Sequence, residues 1–269
     1  MPEGDTIWRT ARALHAALAG KAVLAFDSSL VAVAAAARRL GVVGQTIEAV
    51  ESRGKHLLVR FAGGAVLHTH QGMRGSWRLA RRSGAARRPH APARAVIETA
   101  EVAAVCSLSP VVEMLSPSQA ATHPALSRLG PDVLRPDLLR PDFDPAAARR
   151  RLRQRGELQI GVALLDQAAL AGIGNVYKSE VLFLCGVSPF ARVRDLDDTT
   201  VDRLVAKAGD LLRRNLGPGP RRTTSALSPV RHWVYRRSHG PCRKCGTPIE
   251  RAVQGDEARS TYFCPACQR

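Results

Sequence analysis

Four cysteines near the C-terminus constrain the fold of this chain more than any other feature of its 269 residues. They form two Cys-x-x-Cys pairs, Cys242 with Cys245 and Cys264 with Cys267, and eighteen residues separate the pairs. This spacing is typical of four-thiolate zinc sites, in which protein ligands fill all four tetrahedral positions. The sequence therefore predicts one structural Zn²⁺ at these cysteines, with no open position for catalysis.

The charge balance of the chain is strongly basic. Forty Lys and Arg against 23 Asp and Glu give a formal net charge of +17, and such a field attracts polyanions, most often nucleic acid. No apolar run reaches the ~18–20 residues of a membrane span. The N-terminus also lacks the basic and apolar regions of a signal peptide. We therefore expect a cytoplasmic protein that acts on nucleic acid and has no membrane partner.

The chain begins with Met1, Pro2 and Glu3. A small residue after the initiator allows Met1 to be removed, which makes the secondary amine of Pro2 the expected N-terminus. Because an α-amino group titrates at about 7.7–8.0, a fraction of it is nucleophilic near neutral pH. Such an amine adds to an aldehyde carbon to give an iminium ion, and the Glu3 carboxylate beside it can transfer protons. A helix capped by Asp5 or Thr6 explains the same residues without chemistry.

A helix followed by short strands is predicted for the first half of the chain. Apolar residues recur at helical spacing from Ile7 to Leu18, and Gly20 follows as a stop signal. The period then shifts towards two, and glycine-containing turns separate the apolar runs. The pattern favours an antiparallel sandwich or barrel, with strands at Val23–Asp27, Thr46–Ser52, Lys55–Phe61, Ala65–His70, Ser76–Ala80, Ala93–Thr99 and Val102–Leu108.

Two turns between these strands carry candidate binding residues. Lys55 opens a strand and is a candidate functional residue. The alternative is an ordinary solvated lysine at a strand end. In the loop predicted over His68–Gly75, Met73 is able to wedge into a base stack and Arg74 to read or replace a base edge. Packing of Met73 inside the protein, and a strand face shared by His68 and His70, explain the same loop.

A proline-punctuated segment between Gly130 and Pro145 predicts a domain boundary. We expect an N-terminal domain over 1–132, a linker over 133–145, a helical domain over 146–236 and a zinc finger over 237–269. Within the helical domain, Asp144 is the expected cap of a helix that runs to about Gln154. A further helix is expected over Asp197–Asn215.

The helical domain also contains a candidate anion site. A helix over Leu164–Leu170, a glycine-bearing turn and a second helix from Asn175 are predicted. The second helix would present bare backbone N–H groups at Gly174 and Asn175 to a phosphate, although Asn175 as an ordinary N-cap fits equally. Arg259, between the cysteine pairs, is a further candidate phosphate ligand, as any surface arginine would be.

The combination of these motifs resembles the formamidopyrimidine-DNA glycosylase/endonuclease VIII family, and the beginning Pro-Glu-Gly-Asp-Thr is closest to its endonuclease VIII branch. The resemblance implies an α+β fold with two domains. These are an N-terminal antiparallel β-sandwich flanked by helices, and a C-terminal helix-two-turn-helix domain with a four-cysteine zinc-finger β-hairpin. The matching segments cover nearly the whole chain: Met1–Gly4, Arg53–Lys55, Glu113–Pro117, Thr122–Pro124, Gly130–Leu134, Leu164–Gln167, Gly172–Asn175 and the zinc finger with Arg259.

The resemblance also implies an activity and roles for the residues. The family members are base-excision-repair glycosylases with abasic-site lyase activity, and they act on damaged double-stranded DNA. By the resemblance, Pro2 attacks C1′ of an everted nucleoside, Glu3 acts as acid and base, and β- and δ-elimination cut the strand. By the resemblance, Lys55 belongs with Pro2 and Glu3 to the catalytic residues and also holds a phosphate near the lesion. The resemblance further implies DNA contacts for Gly174, Asn175 and Arg259. The loop of His70, Met73 and Arg74 would fill the space left by the everted base. We expect a monomer.

The lesion preference is an open choice at this stage. The endonuclease VIII branch favours oxidised pyrimidines, whereas Met73 is more usual in the purine-directed branch. The alternatives are therefore a glycosylase for 8-oxoguanine and formamidopyrimidines, or a catalytically silent DNA-binding member of the family. Intact Pro2, Glu3 and Lys55 favour an enzyme over a silent binder. A zinc-ribbon transcription or ribosome-associated factor would explain the charge and the cysteines but would leave the N-terminal amine without a role.

Overall fold

The structure, a computed structural model, describes residues 2–81, 93–134 and 143–269 of the chain. The chain divides into two compact units, Met1–Ser127 and Arg128–Arg269. Most of the segment expected as a linker lies outside the described residues, and the four-part division expected from the sequence stays a prediction. None of the described helices has the length and apolar character that a membrane crossing requires.

The first unit begins with helix α1, Gly4–Leu18. Its buried face contains Ile7, Ala11, Leu14 and Leu18, as the helical spacing predicts. A buried Leu or Ile side chain contributes about 1.5–3 kcal/mol to stability, so this face fixes the start of the chain firmly to the unit. The other helices are α2 (Val31–Arg39), α3 (Pro117–Thr122) and α4 (Pro124–Ser127).

Eight described strands of the first unit form two antiparallel sheets. The sheet orders are β1-β6-β7-β5 and β2-β3-β4-β8. Side chains from both sheets, including Phe61, Leu67 and Ile97, pack into one core with α1, so the unit is a sandwich and not a barrel. The strands are β1 (Ala25–Asp27), β2 (Ile47–Arg53), β3 (His56–Phe61), β4 (Val66–His70), β5 (Ser76–Arg81), β6 (Ala93–Glu98), β7 (Val102–Ser107) and β8 (Val111–Leu115).

Two elements of the first unit were not expected from periodicity. Helix α2 consists largely of alanine, and its narrow buried face is only Val33, Ala36 and Ala37, which gives a weak apolar signal. Strand β8 is five residues long and pairs with β4, its partner about 45 residues earlier in the chain. Because this pairing is long-range, the local sequence carries little trace of it.

The second unit is mainly helical. Its helices are α5 (Pro145–Arg153), α6 (Ile160–Ala163), α7 (Asn175–Cys185) and α8 (Asp198–Arg214), with a short 3₁₀ turn at Val193–Asp195. The Asp197 side chain caps α8 by accepting the N–H of Thr200 at 2.5 Å, which confirms the helix predicted over Asp197–Asn215. Strands β9 (Glu250–Gln254) and β10 (Arg259–Phe263) form an antiparallel hairpin.

The helix predicted over Leu164–Leu170 is wrong, because most of that run forms turns after α6. In this run, side chains form hydrogen bonds with backbone N–H and C=O groups. The Gln167 amide donates to the carbonyls of Leu165 and Ile173 at 2.8 and 3.0 Å, and Asp166 accepts the N–H of Ala168 at 2.8 Å. Such local side-chain bonds compete with a helical ladder, and here they bring the chain compactly to the start of α7.

Candidate functional site

The two N-terminal candidates lie at the start of α1. Pro2 is half-buried directly before the helix, and Glu3 is fully buried. The Glu3 carbonyl accepts the N–H groups of Thr6 and Ile7 at 2.9 and 3.1 Å, so Glu3 is the N-cap residue through its backbone. Its carboxylate makes no capping hydrogen bond. Asp5 and Thr6 lie inside the helix, and the alternative in which they cap it is therefore wrong.

Lys55 and His70 come from turns at neighbouring strand ends. Lys55 is half-buried in the turn between β2 and β3, which Gly54 makes possible by its left-handed φ of 58°. His70 ends β4 and lies within electrostatic reach of Lys55. Burial, and then the Lys55 charge, lower the pKa of His70, so its imidazole is neutral beside the ammonium group at physiological pH.

The loop after His70 is a short hydrogen-bonded turn with two exposed side chains at its tip. Gln71 is buried, and its carbonyl accepts the N–H of Gly75 at 2.8 Å. Gly72 has a φ of 59°, and a Cβ there would approach Pro110 to 2.7 Å. At the tip, Met73 is 72% exposed and Arg74 is exposed as well. Met73 therefore does not pack into the core, and the packing alternative for this residue is wrong.

In the second unit, the candidate anion site is the N-terminus of α7. Gly174 is the N-cap residue and Asn175 is the first helical residue, so Asn175 is not the cap. The side-chain oxygen of Asn175 is buried and accepts no hydrogen bond within the described part of the chain. The arrangement places backbone N–H groups and the positive end of the helix dipole together, which suits an oxyanion.

The zinc hairpin is bonded to the same helix. Lys178 of α7 is fully buried, and its ammonium group donates to the Thr261 hydroxyl at 2.7 Å and to the Ser260 carbonyl at 3.1 Å. These residues follow Arg259, which begins β10. The Arg259 guanidinium is 42% exposed and forms an ion pair with Glu257 at 2.5 Å. Because exposed pairs contribute little stability, this arginine can exchange its partner for a phosphate at small cost.

The four cysteines converge as their spacing predicts. The sulfur of Cys242 lies 3.8 Å from that of Cys267, and the sulfur of Cys245 lies 3.5 Å from Cys264 and 3.4 Å from Cys267. Zn–S bonds of about 2.3 Å give sulfur–sulfur edges of about 3.8 Å in a tetrahedron, so the donor set fits one structural Zn²⁺. Cys242 and Cys264 also pack with Phe183 of α7, which joins the metal centre to the helix.

Sequence reasoning missed one residue that organises the second unit. Glu180 is fully buried on α7, and its carboxylate accepts the backbone N–H groups of Trp233, Val234 and Tyr235, each at 2.8 Å, as well as the Thr223 hydroxyl. Burial raises the pKa of Glu180, and these donors oppose that shift. An acidic residue within an apolar helical run was the signal available in the sequence.

The predicted site residues therefore fall into two groups. Pro2, Glu3 and Lys55 lie in the first unit, together with the loop that contains Met73. Asn175, Arg259 and the four cysteines lie in the second unit, where α7 connects them through Lys178 and Phe183.

Family models match three parts of the chain. The formamidopyrimidine-DNA glycosylase N-terminal domain matches residues 1–107, the formamidopyrimidine-DNA glycosylase H2TH domain matches 130–226, and a zinc finger found in FPG and IleRS matches 240–269. Solved structures agree in fold. A Lactococcus lactis formamidopyrimidine-DNA glycosylase, bound non-covalently to DNA with an AP site, is 24% identical, with 99% of each chain covered and a TM-score of 0.80.

Curated relatives match over the full length. "Probable endonuclease 8 2" of Streptomyces coelicolor is 42% identical over 100% of this chain and 94% of its own. "DNA-(apurinic or apyrimidinic site) lyase Nei2" of Mycolicibacterium smegmatis is 39% identical, with 100% and 99% covered. Endonuclease 8 of Escherichia coli is 33% identical over the whole of both chains. By these matches the chain belongs to the formamidopyrimidine-DNA glycosylase/endonuclease VIII family.

Proposed function

We propose that this protein is a bifunctional DNA glycosylase and abasic-site lyase of base-excision repair. It acts in the bacterial cytoplasm, as a monomer, on damaged double-stranded DNA. The observation that carries the proposal is the pairing of Pro2 with a buried Glu3 at the start of α1, in a chain 39% identical over its full length to a protein named for abasic-site lyase activity.

The proposed reaction begins at the amine of Pro2, after Met1 is removed. The amine nitrogen bonds to C1′ of the damaged nucleoside, the glycosidic bond breaks, and the base leaves with a proton supplied by a general acid. The sugar ring opens to an iminium ion, which acidifies the C2′ protons. Loss of such a proton expels the 3′ phosphate, and a second elimination expels the 5′ phosphate. Glu3 transfers these protons, and its burial keeps bulk water from competing with it.

The remaining site residues hold the DNA in this proposal. Lys55, Arg259 and the α7 N-terminus at Gly174 and Asn175 bind phosphates near the lesion. The side-chain amide of Asn175, whose oxygen is buried without a donor in the described residues, has an NH₂ group that can donate to a phosphate oxygen. The net charge of +17 supports affinity for the DNA backbone.

The loop beyond His70 fills the space that the everted base leaves. Eversion costs a few kcal/mol, and an exposed unbranched side chain at a hydrogen-bonded turn can offset part of that cost by stacking. The 72% exposure of Met73 supports this role, and Arg74 beside it supplies a hydrogen-bond donor for the estranged base. His70, at the end of β4, orients the loop by accepting the N–H of Gly72 at its Nδ1 atom, 3.2 Å away.

The Zn²⁺ ion has a structural role. With four thiolates it has no open position for water or substrate, so it stabilises the β9–β10 hairpin that carries Arg259 and supplies no reaction step.

Oxidised pyrimidines are the proposed substrates, because the full-length relatives at 33–42% identity are named endonuclease 8 or lyase Nei2. The second candidate is a glycosylase for 8-oxoguanine and formamidopyrimidines. It is favoured by Met73 at the loop tip, in place of the Gln-Leu-Tyr trio of the enteric endonuclease VIII sequences.

Borohydride trapping tests the proposal on duplexes with an abasic site, 5-hydroxyuracil, thymine glycol or 8-oxoguanine. We expect a covalent adduct that peptide mapping assigns to Pro2, with the two pyrimidine lesions trapped faster than 8-oxoguanine. An N-terminally extended form, which has no Pro2 amine, should give no adduct. In the Glu3→Gln variant the rate of adduct formation should fall at least about 100-fold, since general acid–base catalysis contributes 10²–10⁴-fold. This variant should still bind DNA.

The outcomes separate the alternatives. Faster trapping on 8-oxoguanine would replace the pyrimidine preference by the purine-directed one. Tight DNA binding without an adduct on any duplex would make the protein a silent binder and would refute the proposed enzyme.

A further inference from the structure

A chain of histidines and one glutamate crosses the sheet β2-β3-β4-β8 in the first unit. His56 Nδ1 lies 2.8 Å from His68 Nε2. The other ring nitrogen of His68, Nδ1, lies 2.8 Å from Glu113 Oε2. The same carboxylate oxygen lies 3.0 Å from His123 Nε2. These residues come from β3, β4, β8 and the end of α3, so the cluster is a product of tertiary structure.

We propose that His68, Glu113 and His123 form a second metal site, which binds a divalent transition-metal cation such as Zn²⁺ through two imidazole nitrogens and one carboxylate oxygen. The proposal is independent of the lyase chemistry. It also adds an ion to the one at the four cysteines, because the cluster lies in the first unit and the cysteines lie in the second.

The donor spacing fits a common cation. One donor atom from each of His68, Glu113 and His123 lies within 4.8 Å of the other two. Metal–ligand bonds of about 2.0–2.2 Å in a tetrahedral site place neighbouring donors about 3.3–3.6 Å apart. The two distances to the Glu113 oxygen, 2.8 and 3.0 Å, are hydrogen-bond distances, so each imidazole nitrogen has to move outward by about 0.5 Å to admit the cation. Two imidazoles with one carboxylate are a ligand set that suits Zn²⁺, Fe²⁺, Co²⁺ and Ni²⁺ better than Mg²⁺ or Ca²⁺.

His56 supplies the outer partner that a metal-bound imidazole needs. When His68 binds a cation through Nδ1, its proton sits on Nε2 and is donated to His56 Nδ1, 2.8 Å away. Such a partner fixes the tautomer and the orientation of the ligand ring. The cation therefore takes the place of the two hydrogen bonds that Glu113 now makes with His68 and His123.

The cluster has a buried side and an open side. The His68 side chain is 1% exposed, whereas those of His123 and Glu113 are 14% and 43% exposed. A cation can therefore enter past Glu113 and keep water on its remaining positions. It would join β4, β8 and the segment after α3, and β4 leads directly into the loop that carries Met73. Binding to the folded state alone stabilises that state.

The test titrates Co²⁺ and Ni²⁺ into the full-length protein with its cysteine site already loaded with Zn²⁺, using calorimetry and metal analysis. We expect one further equivalent of cation per chain. The absorption spectrum of the Co²⁺ form should show nitrogen and oxygen ligands without thiolate charge transfer, which excludes exchange into the cysteine site. The Glu113→Gln and His123→Gln variants should each weaken binding at least tenfold.

The matched control is His239→Asn in the second unit. His239 is exposed, and its left-handed φ of 66° is one that Asn tolerates. This variant should bind the additional cation as the parent protein does. If the parent protein binds no further equivalent at millimolar Co²⁺ or Ni²⁺, or if the cluster variants bind as tightly as the control, the cluster is a hydrogen-bonded network only and the proposal is overturned. The spectrum of the parent protein decides the matter even where a variant fails to fold.

Discussion

At the scale of single residues, His232 shows how neighbouring arginines affect the pKa of a buried side chain. Its ring stacks edge-to-face on Tyr235, with centroids 5.6 Å apart. Its Nε2 atom is buried without a hydrogen-bond partner in the described residues. Burial, followed by the charge of Arg221 and three further arginines, lowers the pKa of His232 to about 4. The folded protein therefore resists protonation of this imidazole.

We predict that this histidine makes the protein less stable as the pH falls. An unfolded histidine titrates at about 6.5, so below that pH the unfolded chain binds a proton that the folded chain binds only near pH 4. By linkage, His232 has no effect above about pH 6.5 and destabilises the fold progressively between there and about pH 4. Denaturant unfolding across this range should show a smaller loss for His232→Gln than for the parent protein. Equal losses would contradict the prediction.

At the scale of elements, α7 connects most of the second unit. Its first turn carries the candidate anion site, Lys178 bonds to β10, and Glu180 accepts three consecutive backbone N–H groups of 233–235. Phe183 packs beneath the cysteine cluster. Each turn of the helix therefore has a different partner, and this explains why two charged side chains are tolerated on a buried helix.

Replacing Glu180 should loosen the segment it holds. In Glu180→Gln the amide nitrogen faces backbone N–H donors, and at least one hydrogen bond to a charged acceptor is lost, which is worth about 1.5–3 kcal/mol. We expect the free energy of unfolding to fall by about that amount. Denaturant unfolding monitored by Trp233 fluorescence measures it. The control is Glu157→Gln, whose exposed carboxylate pairs with two surface arginines and should leave the midpoint unchanged. Similar midpoints for both variants would show that the Glu180 bonds are replaceable.

The zinc hairpin allows a second prediction for an element. Cys264→Ser removes a buried ligand, so we expect loss of Zn²⁺ from the cysteine site, disorder of β9–β10 and weaker DNA binding, because metal binding and folding of such a site are coupled. Cys185→Ser, a cysteine outside the cluster, is the matched control and should retain the ion. Metal analysis with near-ultraviolet circular dichroism measures both effects. An ordered hairpin without the ion would show that packing on α7 is sufficient.

At the scale of the whole molecule, the net charge of +17 should make DNA binding strongly dependent on salt. Each phosphate contact contributes about 0.9 to the slope of log affinity against log salt concentration. We predict that Arg259→Ala reduces the magnitude of this slope by about 1. Arg194→Ala changes a similarly exposed and paired arginine in the 3₁₀ turn at Val193–Asp195, outside the proposed phosphate contacts, and should leave the slope unchanged. Fluorescence anisotropy at several salt concentrations provides the measurement, and equal slopes for both variants would remove Arg259 from the phosphate contacts.

The sequence by itself determined the features that depend on local spacing. The cysteine pairs specify a zinc site, because two ligands three residues apart can reach one ion. The apolar period specifies α1, and the alternation of apolar residues locates all seven predicted strands to within two residues of those observed. The proposal that Pro2 and Glu3 are catalytic also comes from local spacing, since the amine and the carboxylate are neighbours in the chain.

Tertiary structure alone decided the features that depend on residues far apart in the chain. Only the fold shows that Met73 is exposed, that Glu180 holds the backbone at 233–235, and that His68, Glu113 and His123 converge. It also replaced the helix expected over 164–170 by turns, because side-chain bonds to the backbone there stabilise a path that periodicity cannot reveal. The physical reason is that contact energies between distant segments exceed local preferences, and these contacts exist only once the chain is folded.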